Sequence, residues 1–338
     1  MKFMNLLPSV WMLLVLAGFA SWAPPADAQL VAGGYVHTCA LKPDGSAACW
    51  GDNSSGQTSV PVDAAPMKAV AAGASHTCAV RNDGSLLCWG ATAAGENFGQ
   101  TVAPTTGTYS AVVTGMYHSC ALRADGAAEC WGAGVVGGTA GLAPPWNYGQ
   151  SNPPPDTFTA LAAGPFHTCG LLAADGTVLC WGRFAGHFAY DGTGQFKAVT
   201  AGLNHSCGLA TDGNVRCWGS NGYGQLTVPA QTFTAITAGE ASTCGLSADG
   251  SVLCWGAGPN FESDRPYDFG QMTPPAGVAP FTVLAAGSTH TCGLHADHSL
   301  ECWGAGTVVA TFPNLGQSIV LPGIYGSNRI FSNGFDGN

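Results

Sequence analysis

Short apolar segments recur along the chain, and several are apolar at consecutive positions rather than alternate ones. Ser85-Leu86-Leu87-Cys88-Trp89 and Thr177-Val178-Leu179-Cys180-Trp181 are examples. An antiparallel strand with one face in water alternates with a period of two, so these strands need cover on both faces. A further apolar segment precedes each such strand pair, as in Lys68-Ala69-Val70-Ala71-Ala72 and Phe281-Thr282-Val283-Leu284-Ala285. Between paired segments lies a tight polar turn. Pro43-Asp44-Gly45 has the form of a three-residue hairpin loop, a type I turn closed by a left-handed glycine. Counting outward from it sets Leu41 opposite Ala47 and Cys39 opposite Cys49, at a non-hydrogen-bonded site where strands approach closely enough for a disulfide. One copy has a longer loop, Ala173-Ala174-Asp175-Gly176, and counting from Leu172 and Thr177 again brings Cys169 opposite Cys180.

This unit occurs seven times. The cysteines pair as Cys39-Cys49, Cys78-Cys88, Cys120-Cys130, Cys169-Cys180, Cys207-Cys217, Cys244-Cys254 and Cys292-Cys302, and each second cysteine opens a Cys-Trp-Gly triplet. A glycine stands five residues before each first cysteine, from Gly34 to Gly287. Asp-Gly sits between the cysteines in six copies, with Asp297-His298 in the seventh. A Gly-Gln pair follows each triplet: Gly56-Gln57, Gly99-Gln100, Gly149-Gln150, Gly194-Gln195, Gly224-Gln225, Gly270-Gln271 and Gly316-Gln317. Markers recurring every 37 to 49 residues define a repeat architecture in which each unit buries its faces against its neighbours. Small sheets stacked radially cover both faces, so the predicted fold is all-β, a seven-bladed β-propeller. It would have three to four antiparallel strands and one cross-strand disulfide per blade.

Composition agrees. Only 9% of residues are charged, against roughly 25% in an average soluble protein, as expected where both faces of each sheet are buried. Net charge is −10, with no basic cluster, which argues against nucleic-acid binding. Lys2, an apolar run from Val10 to Ala20 and Ala26-Asp27-Ala28 have the layout of a cleaved secretory signal over residues 1–28. The expected mature chain is a propeller over 29–317, then a closing strand and tail over 318–338, with Ser318-Ile319-Val320-Leu321 as that strand. Export to a periplasm or the cell exterior suits fully paired cysteines. His37, His76, His118, His167, His205 and His290 stand two before the first cysteine, with Ser242 in the sixth copy. Three candidate ligands per repeat, lost in one copy, make a poor zinc site, so these histidines are assigned structural hydrogen bonds. No metal and no cofactor is expected.

The segment Ala72-Gly73-x-x-His76-Thr77-x-Ala79-x-x-x-Asp83-Gly84-x-x-x-x-Trp89-Gly90 resembles the repeat of the regulator-of-chromosome-condensation family, and Trp218-Gly219-Ser220-Asn221-Gly222-Tyr223-Gly224-Gln225-Leu226 continues it. The short form from Trp50 to Pro61 is similar to a bacterial branch that includes a propeller-type β-lactamase inhibitor. The resemblance implies a seven-bladed propeller. It leaves activity open, because the family includes exchange factors, a photoreceptor and an inhibitor.

Function is sought where the repeats differ. From triplet glycine to Gly-Gln pair the connections run 4, 8, 16, 11, 4, 13 and 11 residues, so the long loops should gather on one face. They carry Trp146, Tyr148, Phe184, Phe188, Tyr190, Tyr223, Phe261, Tyr267 and Phe269, residue types that dominate protein interfaces. For Phe98, Tyr148, Tyr223 and Phe269, each directly before a Gly-Gln pair, the alternative is packing at the loop base. The expected function is a monomeric, non-enzymatic binder of a protein, such as an inhibitor. A glycan-binding propeller with Trp146 as stacking platform is the first alternative. A hydrolase using Glu262, Asp264 and Asp268, beside Arg265, is the second. Charge pairing within that loop and the absence of a recognisable nucleophile or metal motif favour a binding role.

Overall fold

A computed structural model describes residues 30–64, 66–134, 147–183, 194–257, 269–278, 280–306, 315–320 and 329–330. The predicted signal segment, 1–28, with residue 29, and the predicted tail over 321–328 and 331–338 lie outside the described residues. The described residues fold as seven sheets, each with three antiparallel strands, the last carrying a short fourth strand. In blade one the strands are Val31–Gly33, His37–Leu41 and Ala47–Gly51; in blade seven they are Phe281–Ala286, His290–His295 and Leu300–Gly304. The first strand of each blade contacts the first strands of both neighbouring blades, and the series closes from blade seven to blade one. First strands therefore surround a central axis, and the strands ending in Cys-Trp-Gly lie outermost.

The register follows the turns. Leu41 faces Ala47 and Cys39 faces Cys49, and the longer loop of blade four still leaves Cys169 opposite Cys180. The Lys42 amide donates to Ser46 O, and counting inward from that bonded pair puts the cysteines at a non-hydrogen-bonded site. All seven predicted disulfides form, with Cα–Cα distances of 4.0–4.1 Å. In each turn the aspartate accepts from the backbone amide two residues on, as Asp44 does from Ser46 at 2.8 Å and Asp297 from Ser299 at 2.8 Å. The hydroxyls of Ser46 and Ser299, which also donate to Asp44 and Asp297, together with these amide bonds hold the two exposed carboxyls below their usual range.

There is no single core. Seven apolar clusters lie one at each junction between blades. Each is built on the triplet tryptophan of one blade and the disulfide region of the blade before it, as with Trp89 against Cys39 and Trp303 against Cys244. This places an apolar neighbour on both sides of every blade, which is why the strands lack alternation.

The glycine five before each first cysteine has a specific role at the axis. A Cβ placed on Gly34 would lie 2.6 Å from the carbonyl oxygen of Gly73, and one on Gly73 would lie 2.7 Å from that of Gly115. The relation continues through Gly164, Gly202, Gly239 and Gly287 and returns to Gly34. The same Cβ would also strike the imidazole three residues on, where a histidine is present. The glycines form a closed ring of backbone approaches too tight for any side chain.

Two sequence expectations are corrected. Six Gly-Gln pairs fold alike: the glutamine Oε1 accepts the amide two residues earlier, and its carbonyl accepts Nε1–H from the tryptophan of the next blade at 2.8–3.1 Å. Gly194-Gln195 is not one of them. Gln195 is exposed and directly precedes the first strand of blade five, and its carbonyl accepts from the Thr211 amide. Measured from triplet glycine to the large residue opening the next blade, the fourth connection (183–195) is no longer than the fifth (220–232). Of the expected closing strand 318–321, residues 318–320 are not strand and residue 321 lies outside the described residues. The ring closes because Gln317 O accepts from both Trp50 Nε1 and Thr38 Oγ1, with Val320 buried beside Trp50. Arg329–Ile330 adds a short parallel strand to the outer edge of blade seven.

Candidate functional site

The start of each middle strand, the triplet glycine and the described residues that open the variable connection lie at one end of the sheets, because His37 pairs with Gly51 and His290 with Gly304. The Asp-Gly turns lie at the other. The disc therefore has a turn face of near-constant length and a loop face where length varies.

Beneath the loop face runs a ring of bonds between blades. His37 Nε2 lies 2.9 Å from Thr77 Oγ1, and His76, His118, His167, His205 and His290 make the same bond to Ser119, Thr168, Ser206, Thr243 and Thr38. The Thr77 hydroxyl donates to Gln57 O, so it accepts from His37, which fixes the proton on Nε2. Burial holds five of these imidazoles down at about 3 and His167 at about 4. They are neutral structural links, as their sequence pattern suggested. Ser242 replaces the histidine in blade six.

Of the predicted binding residues, Tyr148, Tyr223 and Phe269 fall within the described residues, while Trp146, Phe184, Phe188, Tyr190, Phe261 and Tyr267 lie outside them. Tyr148 and Phe269 are 36% and 37% exposed, and Tyr223 is half-buried. All three donate their amides to the glutamine of the Gly-Gln fold. Their rings therefore occupy equivalent loop-face positions in blades three, five and six. Tyr148 packs edge-on to Phe166 at 5.9 Å, with the Arg183 guanidinium 5.4 Å from both rings. Phe98 packs on Tyr117 at 4.8 Å. Loop-base packing and partial exposure thus coexist. The sixth-loop residues Glu262, Asp264, Arg265 and Asp268 lie outside the described residues.

The middle of this face escaped sequence inspection. The residue after each ring glycine lines a central channel: Tyr35, Ala74, Met116, Pro165, Leu203, Glu240 and Ser288. Their amides tie blades together, as Leu203 N donates to Glu240 O and Glu240 N to Ser288 O. Ser288 Oγ donates to Glu240 Oε2 at 2.6 Å. Burial raises the Glu240 carboxyl above its usual range, and the Ser288 hydroxyl opposes that shift. Aligning the seven repeats on their glycines was the available signal, since it shows one carboxylate among six uncharged residues.

Comparison with known proteins agrees with this architecture. The regulator of chromosome condensation (RCC1) repeat matches residues 29–57, 67–100, 158–185, 196–225 and 233–261. No curated protein matches the chain. Among solved structures, the chain is similar to the ectodomain of the Physcomitrella patens receptor kinase CR4, at 28% identity and TM-score 0.65 over 81% of this chain and 72% of that one. It is also similar to the CRINKLY WD40 ectodomain of the Arabidopsis thaliana receptor kinase ACR4, at 25% identity and TM-score 0.63 over 82% and 95%. Prp20p of Saccharomyces cerevisiae, whose binding to Gsp1p and histones has been characterised, shares the fold at 19% identity and TM-score 0.57, over 83% of each chain.

Proposed function

As a disulfide-stapled, seven-bladed propeller that carries RCC1 repeats, this chain is, we propose, an exported and non-enzymatic binding protein that engages a protein partner through its loop face. The observation that carries this reading is the contrast between two faces of one rigid disc. The turn face repeats nearly unchanged, whereas connections of different length leave the sheets at the loop face, where Tyr148 and Phe269 are partly exposed. Aromatic residues on a rigid scaffold give contact area at low entropic cost. Seven disulfides, with no free cysteine, suit a non-reducing compartment, which supports export through the 1–28 segment. The receptor ectodomains of similar fold support the same setting. An inhibitory role, drawn from the resemblance of the short repeats, is a finer form of this reading.

The test is affinity capture from native surroundings with the parent chain and with a variant in which 133–148 and 257–269 are replaced by the short Asp52-to-Ser55 connection. Capture of a defined protein by the parent and its loss in the variant is expected. Equal capture by both rejects the loop face. Release by free sugar transfers the reading to a glycan ligand.

A further inference from the structure

The central channel breaks the pattern of its own repeats at one point. Around most of its mouth the wall is apolar or without a side chain, with Tyr35, Met116 and Leu203 as the larger members. Glu240 is the single carboxylate in the lining, and among the described residues it has no basic partner. Among the described residues its one side-chain partner is the Ser288 hydroxyl, which carries no charge. A half-buried carboxylate in an apolar wall has lost part of its hydration, which a cation beside it would replace, and low-dielectric walls focus its field along the channel. The channel holds about 100 Å³, well below the roughly 300–1,000 Å³ of sites for drug-sized ligands. That is too little for a nucleotide or a sugar ring and suits a slender chain.

We propose that the channel mouth is a binding site for a primary ammonium on an aliphatic stem, a lysine side chain presented by the protein partner. Glu240 receives the ammonium, and Leu203, Met116 and Tyr35 border the methylene stem. An alkyl stem lies against apolar surface while its charged end seeks a polar group, and this mouth offers the two side by side. The inference deepens the protein-binding reading and rests on it for the source of the lysine. It does not use the variable loops.

The experiment titrates the full folded chain with Nα-acetyl-lysine methylamide and follows the backbone amide resonances of Gly34, Gly239 and Ser288. The norleucine analogue, which keeps the stem and lacks the charge, serves as comparison. Saturable shifts with the lysine probe alone are expected, weakened at least about tenfold in Glu240→Gln, since bonds to charged groups contribute about 1.5–3 kcal/mol. Glutamine keeps an acceptor for Ser288, so the fold should persist. Leu203→Lys, which tethers an ammonium at the adjacent ring position, is a second variant and should block the probe. Absence of saturable shifts, equal response to norleucine, or unchanged affinity in both variants overturns the proposal. Because partner capture is read separately through the loop swaps, capture that persists while the probe fails removes this inference alone.

Discussion

At the scale of single residues, the repeats separate two reasons for glycine. Gly95 has φ +82°, and a methyl group added there would find nothing within 4 Å, so Gly95→Ala meets only backbone strain, about 1 kcal/mol. Gly115 is the opposite case: a Cβ there would strike the His118 ring and the Gly164 carbonyl. Gly115→Ala should cost more, about 2–3 kcal/mol, and denaturant unfolding of the two variants measures the difference. The buried histidines set a pH dependence. Their folded-state values, about 3 to 4, lie below the ordinary 6.5. Above pH 6.5 both folded and unfolded chains hold them neutral, and they add no slope. Below it the unfolded chain takes up protons that the folded chain refuses, so stability falls as pH drops from 6.5 towards 4. Urea midpoints should be flat in these groups above about pH 7.5 and decline near pH 5, with up to about six protons taken up on unfolding. His37→Gln should remove one proton from that slope. The position of these histidines beside the cysteine pair was legible in the sequence, but the bond partner was not, because it lies in the next blade.

At the scale of elements, each hairpin is locally determined and each blade is not. Turn length and the place of aspartate and glycine fix the register, so the cysteine pairing followed from counting. Removing one bridge as Cys207→Ala with Cys217→Ala should cost about 2–3 kcal/mol by loop-closure entropy, and it should lower the thermal midpoint without abolishing the fold. A second element rule emerged only from packing. Where the first strand of a blade opens near Phe158, Phe196, Phe233 or Phe281, the residue after the first cysteine is Gly170, Gly208, Gly245 or Gly293, and a Cβ there would enter the phenylalanine ring. Blades two and three open with Met67 and Tyr109 and carry Ala79 and Ala121 at that position, so the glycine goes with phenylalanine alone. Gly208→Ala should therefore be destabilising, and Phe196→Met should rescue it. A double-mutant cycle should give a coupling of about 1 kcal/mol or more between the two sites. The covariation is present in the sequence, but it has no meaning until strand pairing sets Phe196 against the middle strand.

At the scale of the whole molecule, closure is the controlling event. Ending the chain at Gly316 removes the carbonyl that Trp50 and Thr38 share and the buried Val320. Such a truncation should shift Trp50 emission to the red and cost several kcal/mol, which a chain ending at residue 330 would not show. The number of blades, the register of each hairpin, all seven disulfides and the face on which length varies were written in the linear chain, because they depend on contacts within a few residues of a turn or on counting identical units. The chain misled at Gly194-Gln195, where the dipeptide directly precedes the strand that opens at Phe196 and lies beside the Gly176 turn, at the far end of the sheet from the six pairs that meet a tryptophan. Packing in three dimensions was needed to settle which glycines touch, where each histidine bonds and that Glu240 stands in the channel wall. Those relations run between blades about forty residues apart, and no local spacing encodes which residues a closed ring of seven will bring to its axis.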